Sequence, residues 1–274
     1  MKIIGYSLFG YGKTTPQYCF NFQTYLRGLW INIRLARVLY PDWKIIVNTD
    51  QDTWNQFEDL FKMMEKFNVT FYGNNYTKLC EAMLWRMKPI WLEGVTHTLC
   101  RDLDSPLTYR EAQMVKEWID SGKVLHSITD SISHNIYMLG GMIGITKDFK
   151  YKFSNWDDMV SGYDYSVKGS DQEMLCHKVY PKFAESGNDS ILQHYILGMP
   201  NTFLSGYRST WKDEPLPNVN EKYRQTNDTC GHIGAAGWYE APTFKFLTEI
   251  DEYKNEYKEI ETKYKSIFYW NENI

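Results

Sequence analysis

Apolar and polar positions alternate between two periods along the first half of this chain. Lys2 to Leu8 is a short apolar run that predicts a strand, closed by the glycine-rich turn Phe9-Gly10-Tyr11-Gly12. From Tyr18 to Leu39 the residues Leu26, Leu29, Ile33, Ala36 and Leu39 recur every three or four positions, a helical period that stops before Pro41-Asp42. Lys44 to Asn48 then reads as a buried strand ending at Thr49-Asp50. A helix from Thr53 to Phe67, a strand from Val69 to Tyr72, a helix from Leu79 to Leu92 and a β-branched strand from Thr96 to Cys100 follow. Strands separated by helices predict an α/β fold with a mixed, mostly parallel sheet flanked by helices.

Thr108 and Glu111 stand at capping-box spacing ahead of a helix whose apolar stripe is Ala112, Val115, Trp118 and Ile119. Lys123 to Ser127 reads as another strand, and Tyr137 to Thr146 contains the small-residue run Leu139-Gly140-Gly141-Met142-Ile143-Gly144. Beyond residue 150 the chain is loopier and more aromatic, and Pro200 to Thr229 reads as an exposed loop. From Leu247 onward Ile250, Tyr253, Tyr257, Ile260, Tyr264 and Ile267 keep helical spacing, which predicts a C-terminal amphipathic helix. The expected organisation is one catalytic domain over residues 1–247 with a helical appendage over 248–274 packed on it. A homodimer contact through that helix is the alternative use of its stripe.

Composition narrows the function classes. Hydrophobic residues make up 43% of the 274 and aromatics 16%, the balance of a folded globule. With 30 Lys and Arg against 34 Asp and Glu the net charge is −4, so nucleic acid is not an expected partner. The N-terminal apolar run is too short and too early for a signal peptide, and no stretch reaches the roughly 18 apolar residues of a membrane span. The five cysteines are scattered, odd in number and without CxxC spacing, which argues against a disulfide framework and a zinc site and for a reducing, cytoplasmic setting.

The chemistry-bearing feature is Asp102-Leu103-Asp104. Two carboxylates two residues apart in an extended segment point to one side and can share a hard cation such as Mn²⁺ or Mg²⁺. Such an ion neutralises the charge that develops on a departing diphosphate. The pair follows a buried strand, at the carboxyl edge where open α/β sheets bind ligands. Gly10, Gly12 and Lys13-Thr14-Thr15 lack the full spacing of a phosphate-binding P-loop.

With its flanks, Arg101-Asp102-Leu103-Asp104-Ser105, Arg110-Glu111 and Trp118-Ile119, the motif resembles the GT-A nucleotide-sugar glycosyltransferases, and within them a small viral and microbial group. The resemblance takes in Leu139-Gly140-Gly141-Met142 and covers roughly residues 1 to 247. It implies a GT-A (Rossmann-like) fold, hexosyl transfer from a UDP- or GDP-sugar to a glycan or other hydroxyl acceptor, and a Mn²⁺ or Mg²⁺ cofactor held by Asp102 and Asp104. His232, within Cys230-Gly231-His232-Ile233-Gly234, matches the position of a third metal ligand; its other reading is a histidine packed in a glycine-rich turn. A viral member would act in the host cytoplasm.

Ser170-Asp171-Gln172 is similar to the Asp-Gln element of lipopolysaccharide galactosyltransferases and glycogenins, which implies that Asp171 is a general base or orients donor hydroxyls while Gln172 lines the reacting face. The same residues would serve as a helix N-cap with an acidic first turn. Arg86 is expected near the diphosphate or in a surface salt bridge, and Arg101 with Asp102 on the donor side. Asp50 would meet base or ribose, Ser7 and Tyr6 would flank the base, and Gly140 and Gly141 would let backbone amides approach the donor sugar. Asp130 and His134 are candidates for the acceptor side. A metal-dependent nucleotidyl- or phosphotransferase would use the same carboxylates on phosphorus, and a catalytically inactive nucleotide-sugar-binding module would use them without turnover.

Overall fold

The computed structural model describes residues 1–12, 22–129, 136–185, 190–195, 207–209 and 251–268. Eight strands, β1 (Lys2–Leu8), β2 (Trp43–Asp50), β3 (Val69–Asn74), β4 (His97–Arg101), β5 (Leu125–Thr129), β6 (Met142–Thr146), β7 (Ile191–Tyr195) and β8 (Tyr207–Ser209), form one sheet. Their order is β3-β2-β1-β4-β6-β5-β7-β8. Every neighbouring pair is parallel except the two made by β6, which runs antiparallel to β4 and β5. The expected mixed, mostly parallel α/β sheet is therefore the one observed.

Successive strand residues point to opposite faces, so each central strand feeds two cores. Ile4, Tyr6 and Leu8 of β1 join Ile45 and Val47 of β2 beneath α1 (Phe22–Leu39), α2 (Gln51–Met64) and α4 (Tyr109–Ser121). Ile3 and Ile46 face the other way, toward α3 (Leu79–Leu84) and the helical segments between residues 147 and 184. Those segments are a 3₁₀ turn Lys147–Tyr151, α5 (Trp156–Val160), α6 (Ser170–Met174), a π turn Leu175–Val179 and α7 (Tyr180–Ala184). The chain leaves β1 toward β2 and leaves β4 toward the other edge. A crevice opens where those directions diverge.

Three local expectations are corrected. The helix read from Leu79 to Leu92 is split: α3 ends at Leu84 and a 3₁₀ segment, Trp85–Trp91, follows. Pro89 lies inside it, lacking an N–H and crowding the preceding turn. At the start of α4, Thr108 Oγ1 accepts from the Glu111 amide (3.1 Å), but the Glu111 carboxylate does not return to the cap. It accepts instead from Arg101 Nε (2.6 Å) and the Tyr40 hydroxyl (3.3 Å). At α6 the cap position is held by Gly169 at φ +89°, and Ser170 is the first helical residue, its hydroxyl donating to Val167 O.

From Asp251 onward the C-terminal stripe is carried by turns followed by two short helices, α8 (Lys258–Lys263) and α9 (Lys265–Phe268), in place of one continuous helix; Leu247 and Ile250 lie outside the described residues. Tyr264 breaks it, with φ −113° and ψ 32°. Tyr257, Ile260 and Phe268 are buried against α1. Arg34 reaches both Asp251 and Glu261 at 2.8 Å, and Arg27 donates to the Phe268 and Ile267 carbonyls. No helix among the described residues is long and apolar enough to cross a membrane.

Candidate active site

The crevice at the carboxyl ends of β1 and β4 is a pocket of about 160 Å³ lined by Ser7, Leu8, Phe9, Tyr25, Met83, Arg86, Asp102, Leu103 and Asp104. The two carboxylates sit in the turn that follows β4, not in an extended segment. Leaving β4 at Arg101, the chain turns outward, burying Leu103 at 2% exposure while Asp102 and the more deeply set Asp104 line the pocket.

Arg86 reaches this carboxylate pair from beneath. Its backbone is fixed by the Ser7 hydroxyl, which accepts from the Arg86 amide (3.0 Å) and donates to Met83 O (3.3 Å). Gly5 of β1 makes the approach possible, because a Cβ there would overlap the Arg86 carbonyl oxygen. The guanidinium is buried and pairs through Nη1 with Asp102 Oδ1. Gly140 and Gly141, just before β6, complete this wall. A Cβ on Gly141 would overlap Asp102 Oδ2, and one on Gly140 would sit 2.9 Å from Arg86 Nη2 and 3.2 Å from Gln172 Nε2. The glycines thus make room for the protein's own charged side chains. The Gly140 amide is already used, donating to Gln172 Oε1 at 3.2 Å.

Asp171, at the start of α6, is near enough for its charge to act on the same guanidinium. It is 1% exposed, and its Oδ2 has no hydrogen-bond partner among the described residues. Burial pushes its carboxyl above the usual range, against the opposing pull of Arg86. Burial also works against the charge on Arg86, but Asp102 and Asp171 outweigh it and hold the guanidinium above the ordinary arginine range. Asp104 is raised to about 7, first by burial and then by the negative charge of Asp102. Negative charge is therefore in surplus at the mouth of the pocket.

The structure lines the crevice with Ser7, Arg86, Asp102 and Asp104 and packs Gly140, Gly141 and Gln172 against Arg86 and Asp102 behind that lining, with Asp171 buried next to Gln172 on α6. It places three other candidates elsewhere. Asp50 is 2% exposed and caps α2, accepting from the Thr53 amide (2.9 Å) and from the Gly10 amide (2.5 Å). Arg101 is buried with Glu111 and donates to the Cys100 and Ile143 carbonyls at 2.8 Å. Tyr6 lies in the core under α1 and does not line the pocket. Asp130, His134 and His232 lie outside the described residues. Phe9, Tyr25 and Met83 line the pocket without having been singled out from the sequence. Phe9 adjoins the strand end that was, but nothing in the spacing of Tyr25 or Met83 separates them from core residues.

The donor set fits a hard divalent cation. Asp102 and Asp104 offer carboxylate oxygens of the kind such a cation takes, and the Asp104 carboxyl, raised first by burial and then by the charge of Asp102, is a group that a nearby cation would return to its charged form. Among the described residues no cluster of three His, Cys, Asp or Glu side chains forms a complete metal cage. Ions of the Mg²⁺ type commonly bind through one or two carboxylates, with water and substrate phosphate filling the remaining positions.

No protein-family model matches the chain, and no curated protein matches it. Among solved structures it is similar to S. aureus TarS (residues 1–349, in complex with UDP-GlcNAc) at 11% identity and a TM-score of 0.43, over 97% of this chain and 71% of that one. It is also similar to a Bacillus anthracis protein assigned as a glucose-1-phosphate thymidylyltransferase, in complex with sucrose, at 10% identity and a TM-score of 0.41 over 72% and 87% of the two chains. A third is 4-diphosphocytidyl-2C-methyl-D-erythritol synthase from Anaerococcus prevotii, at 15% identity and a TM-score of 0.39 over 64% and 80%. Likeness at these identities and TM-scores assigns no activity.

Proposed function

We propose that the chain is a metal-dependent glycosyltransferase of the GT-A type, moving a hexosyl group from a nucleoside-diphosphate sugar to a hydroxyl acceptor. The observation that carries the reading is the buried Arg86 guanidinium paired with Asp102 beside Asp104, at the switch point of a mostly parallel sheet. One cation-binding carboxylate pair and one arginine at the same crevice suit a diphosphate.

In this reading Asp102 and Asp104 hold Mn²⁺ or Mg²⁺, with His232 as the proposed third ligand, and the ion supplies Lewis-acid neutralisation of the leaving diphosphate. Arg86 adds a fixed positive charge at the same place, preorganised by Ser7 and Gly5. The acceptor oxygen bonds to the anomeric carbon as the bond from that carbon to the diphosphate oxygen breaks. Asp171 takes the acceptor's hydroxyl proton or orients the donor hydroxyls in this reading, which requires its buried carboxylate, off the pocket lining, to be uncovered as substrate binds. Gln172 keeps the Gly140 turn against this wall. Cys80, Cys100 and Cys176 are free thiols, which suits the reducing cytoplasm proposed for the chain.

The test is product analysis over a panel of nucleotide sugars, with Mn²⁺ and with chelator, for the wild type and Asp104→Ala. Release of nucleoside diphosphate from one donor, lost with chelator and in the variant, supports glycosyl transfer and names the sugar. Release of pyrophosphate or transfer of phosphate would replace it with nucleotidyl- or phosphotransfer. Binding without turnover across a panel of hydroxyl acceptors would leave a nucleotide-sugar-binding module.

A further inference from the structure

The turn that carries the two carboxylates runs from the end of β4 to the start of α4 without a strand partner. Its apolar side chains, Leu103 and Leu107, are each 2% exposed and packed into the core shared with α1. Backbone groups buried with them need hydrogen bonds that neither a sheet nor a helix supplies. Asn32 supplies two. From the middle of α1 its Nδ2 donates to Ser105 O (3.0 Å), and its Oδ1 accepts from the Leu107 amide (2.8 Å).

Helix packing does not account for an asparagine at this position. Asn32 is 0% exposed between Ile31 and Ile33, on a helix whose other buried positions are mostly apolar. Asparagine is a weak helix former, and burying its amide is costly unless every polar atom is paired. Both polar atoms are paired, and both pairs lie on the same short turn. An amide offers one donor and one acceptor side by side, so it holds that turn as a neighbouring strand would hold another. The clamp begins one residue beyond Asp104.

We propose that Asn32 is a positioning residue that fixes the Asp102-Leu103-Asp104 turn and thereby the spacing of its two carboxylates. Its consequence for the metal rests on the glycosyltransferase reading above; the clamp itself does not. α1 also brings Tyr25 to the pocket wall and is itself gripped by the C-terminal segment through Arg27 and Arg34. Carboxylates and aromatic wall are thus referenced to one helix.

The experiment compares wild type, Asn32→Leu, Asn32→Asp and Leu35→Ala, the last a buried change on the same helix that leaves the turn's hydrogen bonds alone. Mn²⁺ binding is followed by electron paramagnetic resonance of the free ion, exchange of the Leu107 amide by NMR, and stability by thermal melting. Asn32→Leu is expected to weaken Mn²⁺ binding about 10–100-fold, the range seen when a group supporting a metal ligand is lost. The Leu107 amide should exchange faster, and donor turnover should recover at saturating Mn²⁺. Leu35→Ala should lower the melting temperature without either effect. If Asn32→Leu does not fold, Asn32→Asp keeps the acceptor for Leu107 and loses the donor to Ser105, and a smaller loss of Mn²⁺ affinity upholds the proposal. Unchanged Leu107 exchange in Asn32→Leu, or Mn²⁺ losses that merely follow stability across the series, would overturn it. If wild type binds no Mn²⁺, the metal reading fails, and Leu107 exchange alone decides the clamp: faster in Asn32→Leu than in Leu35→Ala upholds it, equal exchange overturns it.

Discussion

The buried guanidinium of Arg86 is bonded to the half-exposed carboxylate of Asp102, joining the 3₁₀ segment on one face of the sheet to the turn that leaves β4. This pair gives the crevice its polarity. Asp102 Oδ1 is occupied from inside the protein and Oδ2 lies against Gly141, while Asp102 and Asp104 both line the pocket. The charge of Asp171 also acts on Arg86, so a single cation offsets two carboxylates on different elements.

Arg86→Ala is expected to lower kcat/KM for the nucleotide-sugar donor by roughly 10²–10³, the loss typical for one preorganised charge-stabilising donor. Arg86→Lys should recover only part of it, because a point charge cannot reproduce the planar fork. Steady-state kinetics at saturating Mn²⁺ checks both, with melting curves to confirm folding. Equal activity in wild type and Arg86→Ala would remove Arg86 from the site.

Gly141→Ala places a methyl group where Asp102 Oδ2 lies, so the carboxylate must move. The expected result is a loss of Mn²⁺ affinity of about 10–100-fold with little change in secondary structure. Titration calorimetry measures the first and circular dichroism the second. Gly5→Ala is different, because the overlapping atom is a backbone carbonyl, and it should cost stability in the upper part of the roughly 1–3 kcal/mol range of overpacked cores.

Periodicity made the alternating elements legible, and an acidic pair after a buried strand made the site's centre legible. β1 has the bounds that its apolar run implies, and β2, β3 and β4 differ from the expected ones by a residue or two at their ends. Long-range pairing was not legible. Asp50, Arg101 and Glu111 have the residue types of a ligand site, yet the fold consumes them: the distant Gly10 amide joins the local Thr53 cap on Asp50, and Arg101 and Glu111 pair with each other. Gly140 and Gly141 were legible as a close approach, but the approaching groups are the chain's own Arg86, Gln172 and Asp102. Asn32 left a signal, a polar residue within an apolar stretch of α1, though nothing in the sequence says which turn it holds.

Arg34 holds the C-terminal segment against α1. It is 3% exposed, its Nε and Nη2 both lie 2.8 Å from Asp251 Oδ2, its Nη1 lies 2.8 Å from Glu261, and its guanidinium stacks over Tyr257. Arg34→Ala leaves the Asp251 carboxylate buried without its partner and is expected to destabilise the protein by about 3–5 kcal/mol. Urea unfolding measures this. A loss below 1 kcal/mol, the range of surface pairs, would mean that this bridge is not desolvated in solution.

The last prediction concerns acid. His126 of β5 is 0% exposed, stacked on Trp118 with ring centroids 5.3 Å apart, and its Nε2 lies 2.8 Å from His194 Nδ1 of β7. His194 Nε2 in turn lies 3.1 Å from Glu117 of α4. If His194 donates to Glu117, its Nδ1 is the acceptor and His126 Nε2 the donor, so a chain of neutral rings satisfies both contacts. Burial lowers the pKa of both, with His194 and Arg101 adding to the effect on His126, while Glu117 opposes it on His194. A folded-state pKa below the unfolded value means that the unfolded chain binds the proton first. Stability is therefore full above about pH 6.5 and falls as the pH drops below it, through the folded-state values. Urea midpoints measured from pH 8 to pH 5 should decline in wild type, and His126→Phe should flatten part of that slope even if it lowers the midpoint throughout. A slope unchanged in His126→Phe would place the acid sensitivity in other groups, and no slope in wild type would mean that the pair takes up its protons without unfolding.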